Sequence, residues 1–263
     1  MKFCLIILLV LTNICKGQEW QAEVMVGVSG YNGDLTQQRI SIKQIRPGFN
    51  FNLKYNSGDF INLRAGIGYG RVVGDDKNNT DAGLRKRNLN FKSSILELNV
   101  IAELNLFDPE LYTSYPYLLG GVGIFHFNPF TYDKENKKTY LQPLGTEGQG
   151  LEEYPDRKKY SLIQFCLPVG LGWKWKINEE WDISYELGFR ILFTDYLDDV
   201  SKTYVNLNEL AAEKGSKSAE LAYRGTAPFT HEGRRRGNSS INDVYFFSGI
   251  KIATNLSNIW NRQ

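Results

Sequence analysis

The sequence predicts an all-β fold: an eight-stranded antiparallel transmembrane β-barrel with long extracellular loops and short periplasmic turns. Two observations predict it. Eight segments alternate apolar and polar residues over roughly the 9–11 residues that a tilted strand needs to cross a bilayer. The connections between these segments are alternately short and long, as in outer-membrane barrels. A soluble barrel such as a lipocalin is the alternative, but it has no reason to place every long loop at one end.

The N-terminal residues 1–17 are predicted to be a secretory signal peptide. Lys2 supplies the positive charge, residues 5–11 form a short apolar stretch, and small residues precede a cut before Gln18. A buried hydrophobic segment is one alternative, and a lipoprotein site at Cys15 is another. A lipoprotein site has a small residue before its cysteine, whereas Ile14 is bulky. We therefore predict a signal peptide followed by one barrel domain over residues 18–263.

Removal of the signal peptide changes the charge and the cysteine count. The chain has 31 Lys and Arg against 29 Asp and Glu. Loss of Lys2 and Lys16 leaves 29 of each, so the mature chain is formally neutral. Its charge therefore gives no indication of nucleic-acid binding. Cys4 and Cys15 are lost as well, and Cys166 alone cannot form an internal disulfide.

The predicted strands show the period of two that separates two faces. Clear alternation occupies residues 22–28, 49–55, 61–69, 96–104, 163–175 and 181–191. Residues 115–127 and 243–254 complete the set of eight, with their faces left unassigned. Aromatic residues near the strand ends predict membrane-interface girdles. They are Trp20, Tyr55, Tyr69, Tyr115, Trp173, Trp175 and Trp181.

The polar faces of the strands carry charges of both signs. An eight-stranded barrel is just wide enough for side chains to fill it, and unpaired buried charges are costly. We therefore predict that these charges pair across the lumen and close it to ions. The alternative is that some of these side chains face solvent. The residues are Glu23, Lys54, Arg64, Glu97, Glu103, Lys174, Glu186 and Arg190.

Motifs for catalysis or metal binding are scarce. His126 and His231 are more than a hundred residues apart, and no metal-ligand spacing is present. Glycines at alternate positions over residues 66–70 do not match a phosphate-binding pattern. Their spacing is that of a strand, in which glycine relieves crowding on the inner face. We predict no cofactor and no small-molecule substrate.

The last long loop contains the densest acidic group, formed by Asp195, Asp198 and Asp199. These residues could ligate calcium or act in general acid–base chemistry. Their spacing is not that of a calcium-binding loop, so we do not predict either role. Residues 234–236, three consecutive arginines, are predicted to be a solvated loop segment. Residues 207–222 are rich in Ala, Glu and Lys and predict a short helix.

Two loop runs, residues 143–150 and 193–201, are more distinctive than generic barrel loops. Together with residues 31–35, 46–48 and 127–129, they resemble the PorG family, the small outer-membrane barrels of the type IX secretion system of Bacteroidota. The resemblance follows the same order over nearly the whole mature chain. The loop residues that carry it, and that we take as candidate site residues, are Pro143, Leu144, Gly145, Thr146, Glu147, Gly148, Asp195, Tyr196, Asp198 and Asp199.

The resemblance implies a non-enzymatic part in protein secretion and gliding motility, with contact to a periplasmic ring of PorK- and PorN-like proteins. Such contact would come from the short turns, the mature N-terminus and the tail after Thr254. The two loop runs would form either a fixed cap over the barrel mouth or a binding site. A general structural or adhesive barrel of the OmpA-like kind is the alternative function. An outer-membrane enzyme is a third possible function, but the sequence contains no clustered acid, base or nucleophile to support it.

Overall fold

The computed structural model of the chain describes residues 19–36, 42–57 and 60–256. The predicted signal peptide and most of the predicted periplasmic tail lie outside these ranges. Among the described residues, no helix is long and apolar enough to cross a membrane.

In the described residues, eight long antiparallel strands and one short hairpin make up the β-structure. The strands are β1 (Glu19–Asn32), β2 (Arg46–Asn56), β3 (Ile61–Asp75), β4 (Asn90–Asn105), β5 (Ser114–His126), β6 (Phe130–Tyr132), β7 (Lys138–Tyr140), β8 (Ile163–Lys176), β9 (Trp181–Leu192) and β10 (Val244–Asn255). The sheet order is β3-β2-β1-β10-β9-β8-β5-β4, and β3 also pairs with β4. This last pairing closes the eight-stranded barrel, which confirms the predicted fold class.

The connections alternate as predicted. Short turns follow β2, β4 and β8 at the inner end of the barrel, and long loops leave β1, β3, β5 and β9 at the outer end. The second long loop is shorter than predicted, because β3 and β4 continue to Asp75 and Asn90. The β6–β7 hairpin, which the sequence did not predict, extends the wall above β4 through the pair Lys92 and Phe130.

The described parts of the long loops contain three short helices: α1 (Ala82–Arg87), α2 (Leu207–Lys214) and α3 (Ser216–Ala222). The single helix predicted over residues 207–222 is therefore two helices. They are separated at Gly215, whose φ of +90° ends α2 in a conformation that favours glycine.

The barrel has an apolar outer surface and, in the inner half of its lumen, a polar interior, the reverse of a soluble protein. Leu98, Val100 and Ile252 are 47–56% exposed on the outside, whereas Glu103 and Lys251 in the neighbouring inward positions are almost completely buried. Such a band of exposed aliphatic and aromatic side chains is stable only against lipid. The barrel therefore spans a membrane.

The aromatic girdle is present with one correction. Trp20, Trp173 and Trp181 are 43–45% exposed near the inner end, where tryptophan favours the lipid–water interface. Tyr115 was wrongly placed in this girdle. The alternation along β5 turns Tyr115 and Tyr117 inward, and both are buried.

Glycines allow the closest approach between strands. Gly27 of β1 faces Gly249 of β10, and a Cβ atom on Gly27 would lie 2.1 Å from the carbonyl oxygen of Ser248. The glycines at positions 66–70 face inward as predicted, since a Cβ atom on Gly66 would lie 2.0 Å from Oδ1 of Asn52.

The hydrophobic core occupies the outer half of the lumen and continues into the loops. The rings of Tyr31 and Phe91 meet edge to face at 4.9 Å, and those of Phe125 and Tyr245 at 5.3 Å. Leu35 and Leu197 from the loops belong to the same buried cluster. The barrel interior and its loop cover are thus one packed unit.

Candidate functional site

Arg64 is at the centre of an ion-pair network in the inner half of the lumen. Its guanidinium contacts Oε1 of Glu103 at 2.6 Å and Oε1 of Glu186 at 2.7 Å. The side chains come from β3, β4 and β9, so the network bridges the lumen from wall to wall. Tyr117 of β5 also donates a hydrogen bond of 2.8 Å to Oε2 of Glu186. These groups neutralise one another in a space closed to bulk water.

Other predicted lumen charges belong to the same network. Lys54 lies 2.9 Å from Oε1 of Glu23, and Lys174 lies 3.5 Å from Oε2 of Glu103. One member was missed in the sequence. The ammonium of Lys251 in β10 contacts carboxylates of Glu103, Glu23 and Glu186 at 2.8, 3.2 and 3.2 Å. The sequence does contain a signal for it. Lys251 lies two residues after Gly249, so both residues are on the same, inward face of β10.

Arg190 and Glu97 form a separate pair nearer the outer end. The guanidinium Nε lies 3.0 Å from Oε2 of Glu97, which also accepts a 2.6 Å hydrogen bond from the hydroxyl of Tyr245. The guanidinium lies 4.8 Å from the ring centre of Phe247. This pair joins the charged inner half of the lumen to the hydrophobic outer half.

A polar vestibule of about 440 Å³ opens below the Arg64 network, between the short turns. Gln21, Asn62 and Asp182 line it together with Lys174. Solvent on this side therefore enters the barrel only as far as the network.

The loop run 143–150 begins in a 3-10 turn, Gln142–Leu144, whose Pro143 is exposed and whose Leu144 packs against the core. Gly145 and Gly148 follow with φ values of +59° and +82°. A Cβ atom on Gly148 would lie 2.8 Å from the side chain of Val205. These glycines let the backbone turn back and carry Glu147 into the interior of the loops.

Glu147 joins the two distinctive loop runs. Its carboxylate accepts hydrogen bonds of 3.0 Å from the backbone amides of Ser201 and Lys202, directly at the end of the run 193–201. The buried guanidinium of Arg236 lies 3.1 Å from the same carboxylate. Arg236 also donates to the backbone oxygen of Asp199 at 2.5 Å. The prediction of a solvated segment at 234–236 was thus wrong for Arg236, whose contacts are distant in sequence.

Asp199 is the second junction of the cap. Its carboxylate accepts hydrogen bonds from the hydroxyls of Thr146 at 2.5 Å and Tyr160 at 2.7 Å. The ring of Tyr160 stacks on that of Tyr196 at 4.8 Å and on that of Phe127 at 6.0 Å. We call this loop assembly, residues 127–162 and 193–243, the outer cap.

Asp195 and Asp198 belong to a different cluster from Asp199. The hydroxyl of Tyr31 donates a hydrogen bond to Oδ2 of Asp198, and the backbone amide of Leu197 donates to Oδ2 of Asp243 at 2.9 Å. Oδ2 of Asp195 and Oδ1 of Asp243 are buried without a hydrogen-bond partner within the described ranges. No group of three or more His, Cys, Asp or Glu residues in those ranges has a geometry that could hold a metal ion.

Burial raises the pKa of each carboxyl in this cluster. The pKa of Asp195 rises to about 8 because the side chain is desolvated, with Asp34 and Glu147 adding to the effect. Desolvation and neighbouring carboxylates also raise the pKa values of Asp198 and Asp243 well above their usual range. The pKa of Asp199 rises only to about 6, because Arg236 opposes the desolvation. The Asp195 carboxyl therefore keeps its proton at neutral pH.

The fold and the filled lumen define a class: a membrane-spanning β-barrel of the outer-membrane kind with a closed interior. The chain belongs to the family described as Domain of unknown function (DUF6089), whose model matches residues 1–213. Comparison with curated protein sequences gave no match.

Several solved barrels are similar in structure. Ail of Yersinia pestis, in complex with the heparin analogue sucrose octasulfate, has 8% identity over 90% of this chain and 97% of its own, with a TM-score of 0.42. Neisserial surface protein A has 10% identity over 91% and 97%, with a TM-score of 0.42. Outer membrane protein W of E. coli has 11% identity over 89% and 97%, with a TM-score of 0.36.

The ion-pair network yields a prediction for stability. We expect Arg64→Met to destabilise the barrel by about 3 kcal/mol, because it removes the charged hydrogen bonds that Arg64 donates to the buried carboxylates of Glu103 and Glu186. Urea unfolding in detergent micelles, followed by tryptophan fluorescence, measures the loss. Arg71→Met in the same strand is the control, since the Arg71 side chain is exposed. Equal unfolding midpoints for the two variants would contradict the prediction.

The acidic cluster yields a prediction for pH. The pKa of an opened aspartate is near its ordinary value of 3.8, whereas that of Asp195 in the closed cap is about 8. Between these values the closed cap holds more protons than the opened one, so rising pH favours opening. We expect hydrogen-exchange protection of residues 195–201 to fall as the pH rises from 5 to 8.5.

Asp195→Asn should flatten this pH dependence, because the amide stays neutral. Asp156→Asn is the matched control, since Asp156 is 76% exposed. An unchanged pH profile in Asp195→Asn would count against Asp195 as the titrating group.

Proposed function

We propose that this protein is a non-enzymatic structural or adhesive outer-membrane barrel, exported after removal of residues 1–17, which displays a fixed outer cap on a sealed lumen. The Arg64 network carries this proposal. It connects three strands across the interior through contacts of 2.6–2.7 Å. Within the described residues, these side chains occupy the space that forms a water-filled channel in porins. Outer-membrane lipid is the partner of the apolar outer surface.

The outer cap supports the display role. Its two loop runs are held by the carboxylates of Glu147 and Asp199, both buried, and by the stacked rings of Tyr160 and Tyr196. Loops fixed in this way keep one surface shape outside the cell, which reduces the entropy lost when a partner binds. A plugged barrel below them acts as the anchor.

Ion conduction tests the sealed lumen. We expect the purified protein in planar lipid bilayers to give no stepwise conductance above that of protein-free membranes, since charged side chains fill the lumen. A 16-stranded porin reconstituted in the same lipid is the positive control for insertion. Stepwise currents that grow with the amount of folded protein would overturn the proposal.

A component of the type IX secretion machinery is the second candidate. The observation that favours it is the direct contact between the two runs that resemble PorG, through Glu147 and the amides of Ser201 and Lys202. A PorK- and PorN-like ring would then bind the inner end, where the turn residues Glu110 and Glu179 are exposed.

A pull-down in mild detergent tests this candidate. We expect the tagged wild-type protein to retain a large periplasmic ring assembly, and Glu110→Lys with Glu179→Lys to lose it through charge reversal at the inner turns. Lys158→Glu with Lys159→Glu, in the outer cap, is the matched control and should retain the ring. Recovery of the barrel alone from wild-type cells would reject the secretion role and leave the structural role in place.

A further inference from the structure

A second cavity lies in the outer loops, separate from the lumen and its vestibule. It has a volume of about 530 Å³ and lies between α1 and the final part of the last long loop. Volumes of 300–1,000 Å³ are typical of small-ligand sites. The cavity is on the side of the barrel with the long loops, so the inference rests on the proposed outward display of the cap.

One wall of this cavity is aromatic. Tyr204, Tyr223 and His231 line it, and the ring of Phe229 contacts the rings of all three. The ring centres of Tyr223 and His231 are 5.3 Å apart, and those of Tyr223 and Phe229 are 5.2 Å apart. Tyr223 and His231 are half-buried, so part of each ring is open to the cavity. The negative face of such rings attracts the polarised C–H groups of a sugar ring.

A second part of the cavity wall is positively charged. Lys86 and Arg235 line the cavity and are exposed. Arg87 also lines it and is fixed by Asp76, whose Oδ1 lies 2.7 Å from the guanidinium. Asp81 is the acidic residue of this wall, and its carboxylate accepts a 2.9 Å hydrogen bond from the amide of Leu84 at the start of α1. The cavity therefore carries excess positive charge toward solvent.

The hydroxyl of Tyr204 is the most specific feature. Tyr204 lines the cavity and is 4% exposed, so its side chain is held in place by its surroundings. A phenolic hydroxyl can donate one hydrogen bond. Arg236, Arg87 and Asp76 are the charged groups that act on it. A ligand that brings an acceptor oxygen into the cavity would accept that hydrogen bond.

We propose that this cavity binds an anionic saccharide. The sugar ring lies on Tyr223 and His231, its acidic group contacts Lys86 and Arg235, and one of its oxygens accepts a hydrogen bond from Tyr204. The acidic group is a carboxylate or a phosphate, since both pair with Lys and Arg. The saccharide comes either from the cell's own lipopolysaccharide or from a foreign polysaccharide.

Binding of trigalacturonic acid to the full chain in detergent micelles tests the site, with neutral maltotriose as the control ligand. We expect saturable binding of the acidic sugar alone. Lys86→Glu with Arg235→Glu should weaken it at least tenfold, and Tyr204→Phe about fivefold, which is the effect of one hydrogen bond. Lys158→Glu with Lys159→Glu makes the same charge change elsewhere in the cap and should bind as the wild type does.

Competition identifies the source of the sugar. Displacement by purified lipopolysaccharide core oligosaccharide points to the cell's own outer leaflet, and its absence to a foreign polysaccharide. The site is refuted if neither trigalacturonic acid nor the core oligosaccharide binds saturably. It is also refuted if maltotriose binds equally well, or if the Lys86 and Arg235 double variant binds as the wild type does. Conductance of the same preparation reports on the sealed lumen independently, so the two proposals fail separately.

Discussion

The neutralisation of charge inside a closed wall is the constraint on which the rest of the structure depends. Eight strands leave an interior too narrow for a water column and too wide to stay empty. Arg64, with Glu103 and Glu186, fills the inner half with hydrogen-bonded charges. The outer half is filled by aromatic rings that reach the loops. The wall can therefore be apolar outside, because its polar side chains have partners inside.

Much of this arrangement was predictable, because strand alternation is a local property. The period of two alone separated Lys54 and Arg64 from their lipid-facing neighbours, and the closed barrel brought them to Glu23 and Glu103. Alternation was harder to use in β10, where Phe246 and Phe247 are both buried. The contribution of Lys251 was lost for that reason.

The cap was less predictable, because its contacts join residues far apart in the chain. Three consecutive arginines look alike in sequence, yet Arg236 is buried against Glu147 while its two predecessors are exposed. Nothing local distinguishes them. The acidic residues near position 198 likewise formed one group in the sequence. The fold divides it, with Asp199 facing Tyr160 and Asp198 facing Tyr31.

The span of these contacts has a consequence for the order of folding. Tyr31 and Asp198 are 167 positions apart, and Arg64 and Glu186 are 122 apart. Contacts of such separation form late, because the chain entropy between them must first be lost. The pairing of β1 with β10 brings the first and last strands together. The contacts within the outer loops can therefore form only after the final strand has inserted into the membrane. A compact set of outer loops is thus a sign that insertion of the barrel is complete.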